Sequence, residues 1–206
     1  MTSWRDKYPA GYLNNGDETT VKSLTEVLHT TRTSCRPSFQ KTRYEIGVDC
    51  DEVYPNIYIG DAATAKSIPY LTEMGINNVL NTAEGNGFGM VNTNREYYKK
   101  TSIRYLGLPL KDLPMTNISK YFNETADFID CAIRSGGKVL VHCLMGMSRS
   151  STCVLSYLMI KEGMTAADAL RRVRLNREIY PNEGFLHQLA ELDNKLKRDR
   201  ARGARL

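Results

Sequence analysis

Apolar residues keep two different rhythms along this chain, and the change falls near residue 50. Residues 1–50 are polar and irregular except at 20–29, where Val21, Leu24, Val27 and Leu28 share one face and predict a short helix. From residue 51 onward, short apolar runs alternate with longer amphipathic ones. The runs at 56–59, 78–81, 103–106 and 138–142 have strand length, while 62–74, 119–135, 150–162, 165–174 and 184–197 read as helices. Within 119–135, Phe122, Ala126, Ile129 and Ile133 form one core-facing stripe. Such alternation predicts an α/β fold, a central and mostly parallel mixed sheet flanked by helices, with ligands bound at the carboxyl ends of its strands. The boundaries that follow are an N-terminal extension at 1–50, a main domain at 51–197 and a basic tail at 198–206.

Composition narrows the class. A chain of 206 residues with 41% hydrophobic content supports one sizeable core. No apolar run approaches the ~18–20 residues that a bilayer span needs, and the first residues lack the apolar stretch of a signal peptide. The net charge of +5 raises nucleic acid as a partner, but its location argues against that. Residues 195–206 hold six basic side chains and one acidic, while the rest of the chain holds 22 of each. The body is neutral, so no nucleic-acid partner is expected, and the tail reads as a solvated helix end or a docking element. Cys35, Cys50, Cys131, Cys143 and Cys153 show no CxxC spacing, which indicates neither a disulfide framework nor a zinc site. A reactive thiol would need a reducing compartment, so cytoplasm or nucleus is the expected location.

Candidate chemistry concentrates at 142–150, His-Cys-Leu-Met-Gly-Met-Ser-Arg-Ser. The stretch joins a buried strand to an apolar helix through a loop containing glycine. That geometry binds phosphate, because loop N–H groups point inward as a nest and the helix N-terminus adds positive potential. Leu144, Met145, Gly146, Met147 and Ser148 supply the nest, and Arg149 supplies a planar fork that matches phosphate oxygens. Cys143 lies at the floor. A thiol ordinarily titrates near ~8.5, and this setting brings reactive cysteines to roughly 3.5–7.5. A lone cysteine at a strand end is usually a packing residue; the spacing to Arg149, the flanking His142 and Ser150 and the strand–loop–helix context together point to a nucleophile.

The HCx5RS pattern resembles the signature of cysteine-dependent protein tyrosine phosphatases, and the chain is similar to their dual-specificity branch, in particular the small atypical enzymes of the VHR type. The resemblance runs from about 51 to 196 and is carried by DEVYPNIYIGDA (51–62), GINNVLNTAEG (75–85), VNTN (91–94), RYLGLPLKDLP (104–114), VHCLMGMSRSST (141–152) and NREIYPNEGFLHQL (176–189). It implies a catalytic domain over 51–197 that hydrolyses phosphotyrosine and phosphoserine or phosphothreonine in proteins through a phosphocysteine intermediate. Cys143 would be the nucleophile and Arg149 the phosphate clamp. Asp112 matches the general acid, on a Pro-bracketed loop expected to close over the pocket; by itself it would read as a turn residue. Ser150 is expected to bond the Cys143 sulfur, to cap the helix, or both. His142 is expected to orient the loop through a backbone hydrogen bond. The chemistry needs no cofactor, and no metal-ligand cluster is visible.

The loop carries no basic residue between Cys143 and Arg149, which favours phosphoprotein over inositol phosphates or RNA. The type enzyme has Arg-Glu-Gly-Tyr where this chain has Leu144 to Met147, so peptide preference does not carry over. By resemblance, Phe88 lines the pocket, and Arg177 meets a second phosphate on doubly phosphorylated segments such as those of mitogen-activated kinases; Arg177 also reads as a solvated helix-end charge. A monomer or weak dimer is expected. The competing readings are a phosphobinding pseudophosphatase and a scaffold.

Overall fold

The computed structural model describes residues 18–34 and 47–203. Cys35, most of the expected extension and the last three residues of the tail lie outside these. Five strands form one sheet: β1 (Cys50–Tyr54), β2 (Ile57–Gly60), β3 (Asn78–Asn81), β4 (Arg104–Gly107) and β5 (Val139–His142). Their order is β1-β2-β5-β3-β4, with β1 antiparallel to β2 and every other pairing parallel. The sheet is mixed and mostly parallel, as expected.

β1 has no counterpart in the sequence reading. Asp51 and Glu52 interrupt its apolar pattern, and only Cys50 and Val53 are buried. Cys50 joins the smaller core and Val53 the larger, and an edge strand tolerates the acidic residues between them. Pro55 and Asn56 turn the chain into β2, Asn56 with φ 63°, the left-handed position that a Pro–Asn pair accommodates. In β2 and β5 the side chains alternate. Ile57, Ile59, Val139 and Val141 join the larger core, and Tyr58 and Leu140 join a smaller one on the opposite face.

The larger core lies beneath α1 (Val21–Thr30), α4 (Phe122–Arg134), α5 (Arg149–Ile160), α6 (Ala166–Arg174) and α7 (Glu183–Gly203). On the other face sit α2 (Ala62–Lys66) and α3 (Ile68–Glu73), where the sequence suggested one helix. The break at Ser67 has a cause: Pro69 has no N–H to give to a continuous helix and is welcome only in a first turn. The stripe on α4 is confirmed, with Phe122, Ala126 and Ile129 buried and Ile133 partly so.

α1 belongs to the larger core rather than to a loose extension. Leu24 and Leu28 are fully buried, and Thr20 and Ser23 form a reciprocal capping box at its start. Thr19 Oγ1 donates to Asp193 Oδ2 at 2.6 Å, and Asp193 Oδ1 accepts the Ala166 N–H at 3.0 Å. Buried Asp193 thus ties the entry to α1, the start of α6 and the middle of α7. Lys197 pairs with it at 3.0 Å, and Arg200 donates to the Met159 carbonyl. Helix α7 therefore runs six residues past its expected end, because part of the basic segment is structural. Among the described residues no helix is long and apolar enough to cross a membrane.

Leu28→Ala removes a fully buried side chain from this core. It should cost about 2–5 kcal/mol, read as a lower midpoint in urea with an unchanged slope. A loss below half a kcal/mol would show that α1 is only loosely attached.

Candidate active site

Parallel pairing brings the carboxyl ends of β2, β5 and β3 together, with Gly60, His142 and Asn81 in register. The chain leaves β5 at His142, runs through residues 143–148 and enters α5 at Arg149. Four consecutive carbonyls of this loop are drawn outward. Leu144 O accepts from the Ala62 N–H at 3.0 Å and Met147 O from the Tyr180 N–H at 2.9 Å. Gly146 O and Met145 O accept from the Arg177 guanidinium at 2.9 and 3.1 Å. With the carbonyls turned out, the amides between them turn in, and Gly146 N–H points at Cys143 Sγ, 3.2 Å away. Gly146 has φ 68°, and a Cβ there would lie 2.6 Å from the Gly60 carbonyl oxygen, so only glycine fits.

Cys143 is buried, and burial by itself pushes a thiol's pKa up. The Ser150 hydroxyl at 3.4 Å, the Ser150 and Met147 amides and the Arg149 charge outweigh that penalty and hold the thiol below its ordinary value. Ser150 therefore bonds the sulfur as expected. It does not cap the helix: Ser148 is the N-cap residue, and Ser150 lies inside the first turn. His142 is fully buried, with Nδ1 3.2 Å from the Cys143 carbonyl oxygen. Burial lowers its pKa to about 4; the hydrogen bond to Cys143 opposes that shift, and the Arg149 charge adds to it. Near neutral pH it is uncharged, and its Nδ1 meets the Cys143 carbonyl.

Arg149 is 3% exposed. Its Nη1 donates to the Leu110 carbonyl at 3.0 Å and lies beside Met90 Sδ, while Nε faces Asp112 Oδ2 at 3.6 Å. Asp112 Oδ1 accepts from the Ser148 hydroxyl and the Asn182 amide, each at 2.8 Å. The segment after it is pinned as well. Gln188 Oε1 accepts the Ile118 and Ser119 N–H groups at 2.9 Å, and Gly184 lets the start of α7 press against Pro114, where a Cβ would come within 1.9 Å of the carbonyl oxygen. The loop expected to close is already anchored over the site.

Two expected contacts fall elsewhere. Arg177 is not on the rim. It lies 3% exposed beneath the loop with all five N–H groups spent, two on loop carbonyls and three on Asp49 and Asp51 at 2.6–2.9 Å. It cannot meet a second phosphate without giving up the loop. Phe88 stands fully exposed, at 107%, on the segment after β3 rather than packed in a pocket wall. Asn182 was not foreseen. Its place in PNEG before a helix marks an N-cap, but its reach across 70 residues to Asp112 leaves no trace in local pattern. Among the described residues no group of three or more His, Cys, Asp or Glu side chains is placed to hold a metal.

A low-pKa thiol in a ring of inward amides, beside a buried arginine and a carboxyl group, is the equipment of a cysteine-dependent phosphatase. Residues 57–195 match the family described as dual specificity phosphatase, catalytic domain. Solved structures agree. Human DUSP28 is 26% identical, with 72% of this chain and 95% of that chain covered and a TM-score of 0.62. DUSP15 is 31% identical, covering 75% and 95%, with a TM-score of 0.60. The human tyrosine phosphatase-like serine/threonine/tyrosine-interacting protein is 33% identical, covering 69% and 93%, with a TM-score of 0.57. The chain belongs to the dual-specificity phosphatase family, in its atypical branch within the cysteine-based superfamily, and its substrates are phosphoproteins.

Two predictions follow from the geometry. Arg177→Ala should destabilise the fold by about 3–5 kcal/mol and impair mono- and bis-phosphorylated peptides equally; a selective loss on the doubly phosphorylated peptide would put Arg177 back on the rim. The second concerns His142, whose folded pKa of about 4 lies below the ~6.5 of an unfolded imidazole. The unfolded chain therefore takes up the proton first. Stability that is full above about pH 6.5 should fall as pH drops toward 4, by roughly 3 kcal/mol from this group. Urea unfolding of His142→Gln should lack that part of the slope.

Proposed function

We propose that this phosphatase works through a phosphocysteine intermediate, with Cys143, Arg149, Asp112 and Ser150 as the reacting set. The observation that carries the reading is the turning-out of four loop carbonyls, which leaves inward amides around the Cys143 sulfur. In the first step Cys143 sulfur attacks phosphorus in line, the bond to the ester oxygen breaks, and Asp112 gives its proton to that oxygen. In the second, water attacks phosphorus, Asp112 takes the water's proton, and the sulfur leaves as thiolate with the Ser150 hydroxyl bonded to it. Inward amides and Arg149 hold the three equatorial oxygens throughout. Phosphotyrosine should be turned over faster than phosphoserine or phosphothreonine. Doubly phosphorylated kinase segments, such as those of mitogen-activated kinases, would be read through one phosphate at a time, since Arg177 is committed.

Asn182 joins the set as a positioning residue. Its Oδ1 accepts the Phe185 N–H at 3.0 Å as the cap of α7, which fixes the amide and turns Nδ2 toward Asp112. Two donors on Asp112 Oδ1 leave the proton to Oδ2, the oxygen that faces Arg149.

The test is hydrolysis of aryl phosphates in EDTA across leaving groups of low and high pKa. Cys143→Ser should abolish turnover while retaining phosphate binding. Asp112→Asn should lose about 10²–10⁴-fold on phenyl phosphate and far less on a dinitrophenyl ester. Asn182→Ser, which keeps the cap, should lose roughly tenfold on phenyl phosphate alone. A flat response of Asp112→Asn across leaving groups would remove Asp112 as the acid; a flat response of Asn182→Ser alone would remove only the positioning role. Wild-type protein that binds phosphate but turns nothing over would be a phosphobinding module.

A further inference from the structure

Six of the exposed large hydrophobic side chains stand around one place. Leu144 and Met145 lie on the phosphate loop, Leu113 and Met115 follow Asp112, Phe88 is on the segment whose Met90 touches Arg149, and Tyr180 donates its N–H to Met147. Among the described residues Tyr97 is the other exposed one, with its hydroxyl bonded to the Lys66 carbonyl; the Tyr180 hydroxyl meets His29 Nε2 at 3.0 Å, so Tyr180 offers the collar mainly one ring edge. Met115 and Met145 are 85% and 61% exposed. Single exposed apolar residues scattered over a surface need no explanation; this concentration at the mouth of a site does.

Charge shows the same pattern from the other side. Residues 85–94, 113–119, 144–148 and 179–182 contain no Asp, Glu, Lys or Arg, in a chain that is 25% charged. The exposed cations beside these segments, Arg95, Lys111 and Lys120, lie just outside them. The two buried arginines at the site are spent on carbonyls, Asp49, Asp51 and the phosphate position.

We propose that this mouth is an apolar collar that docks the residues flanking the phosphorylated side chain, so that preferred substrates carry Leu, Ile, Met or Phe there rather than Asp or Glu. The inference rests on the phosphatase reading above and names its substrate class. A flanking carboxylate would give up water against methionine and leucine, on segments that hold no cation of their own. An aliphatic or aromatic neighbour gains burial, and flexible methionine side chains adapt to several shapes. A peptide beside the phosphate floor is favoured over a membrane because the segments interleave no lysine or arginine of their own among the apolar residues, as surface-seeking patches do to meet anionic headgroups.

Two phosphotyrosine peptides that differ only in Leu or Glu at the flanking positions provide the test, with the full chain as enzyme. The Leu peptide should be favoured at least tenfold in kcat/KM, the difference should lie in KM, and added salt should leave it unchanged. Met115→Lys should shrink the ratio several-fold and Met115→Leu should restore it, both with unaltered aryl phosphate hydrolysis. Equal turnover of the two peptides, or preference for Glu, overturns the collar. Wild type that turns over neither peptide nor an aryl phosphate defeats the phosphatase reading instead. Co-sedimentation with phosphatidylcholine vesicles, or a dimer broken by Met115→Lys, each with no peptide preference, would assign the patch to a lipid surface or a second copy and likewise overturn it.

Discussion

Carbonyls of Leu144, Met145, Gly146 and Met147 tilt away from the Cys143 sulfur, and the remainder of the site depends on that tilt. A loop this short has no internal means of pointing its amides inward, since each inward N–H must be matched by a carbonyl satisfied on the outside. The outside donors come from three separate parts of the chain: Ala62 at the start of α2, Tyr180 before α7, and Arg177, which serves two carbonyls. Arg177 is tolerable in the interior only because Asp49 and Asp51 occupy its other three N–H groups. Burial opposes its charge, and the hydrogen bonds and charges of the two aspartates more than restore it. The antiparallel edge strand thus supplies the carboxylate under the loop that keeps the nest open.

Cys143 and Cys153 show what the nest achieves. Both are buried in the same part of the molecule, one at the end of β5 and one inside α5. For Cys153 burial wins and pushes the thiol up to about 12, with Thr125 and the neighbouring Cys143 as smaller influences. For Cys143 the burial penalty is also the largest single influence, yet the Ser150 hydroxyl and amide, the Arg149 charge and the Met147 amide reverse its sign. Low dielectric strengthens whatever lies close to the sulfur, for better or worse. Two buried thiols therefore differ in which way the surrounding dipoles face and in whether a cation lies beside them.

Legibility in the sequence followed the range of the interactions. Residues 142–150 could be read because a strand, a loop and a helix N-terminus are contiguous, and the alternation of runs after residue 50 could be read because packing periodicity is local. β1 was hidden by Asp51 and Glu52: Asp51 makes sense in a strand only once Arg177 is seen behind the loop, and Glu52 accepts the Asn56 N–H at the turn. Arg177 itself looked like a rim or surface charge for the same reason: its acidic partners lie 126 and 128 residues away in sequence. The break in the helix at Ser67 was signalled by Pro69 and could have been taken from it. The burial of α1 was indicated by its stripe, but its attachment through Asp193 was not, because nothing in a helical pattern says which other helix will cap it.

Anchoring of the Asp112 segment changes where substrate selection must reside. A lid that closes on each substrate can discriminate by what allows it to close. Here Asp112 is tied to Ser148 of the phosphate loop and to Asn182, while Gln188 and Gly184 hold the residues that follow. The carboxyl proposed as the acid is therefore held by bonds made on folding, and the entropy of positioning it is met there rather than during turnover. Such a site gains rate on any phosphoryl group that reaches its floor, but closure contributes no selectivity. Discrimination is left to the fixed surface at the mouth, and on this chain that surface is built from Leu113, Met115, Leu144, Met145, Tyr180 and Phe88. An anchored carboxyl and an apolar rim are thus complementary: the first favours reaction whatever the context, and the second gives the described residues a surface on which context can be read.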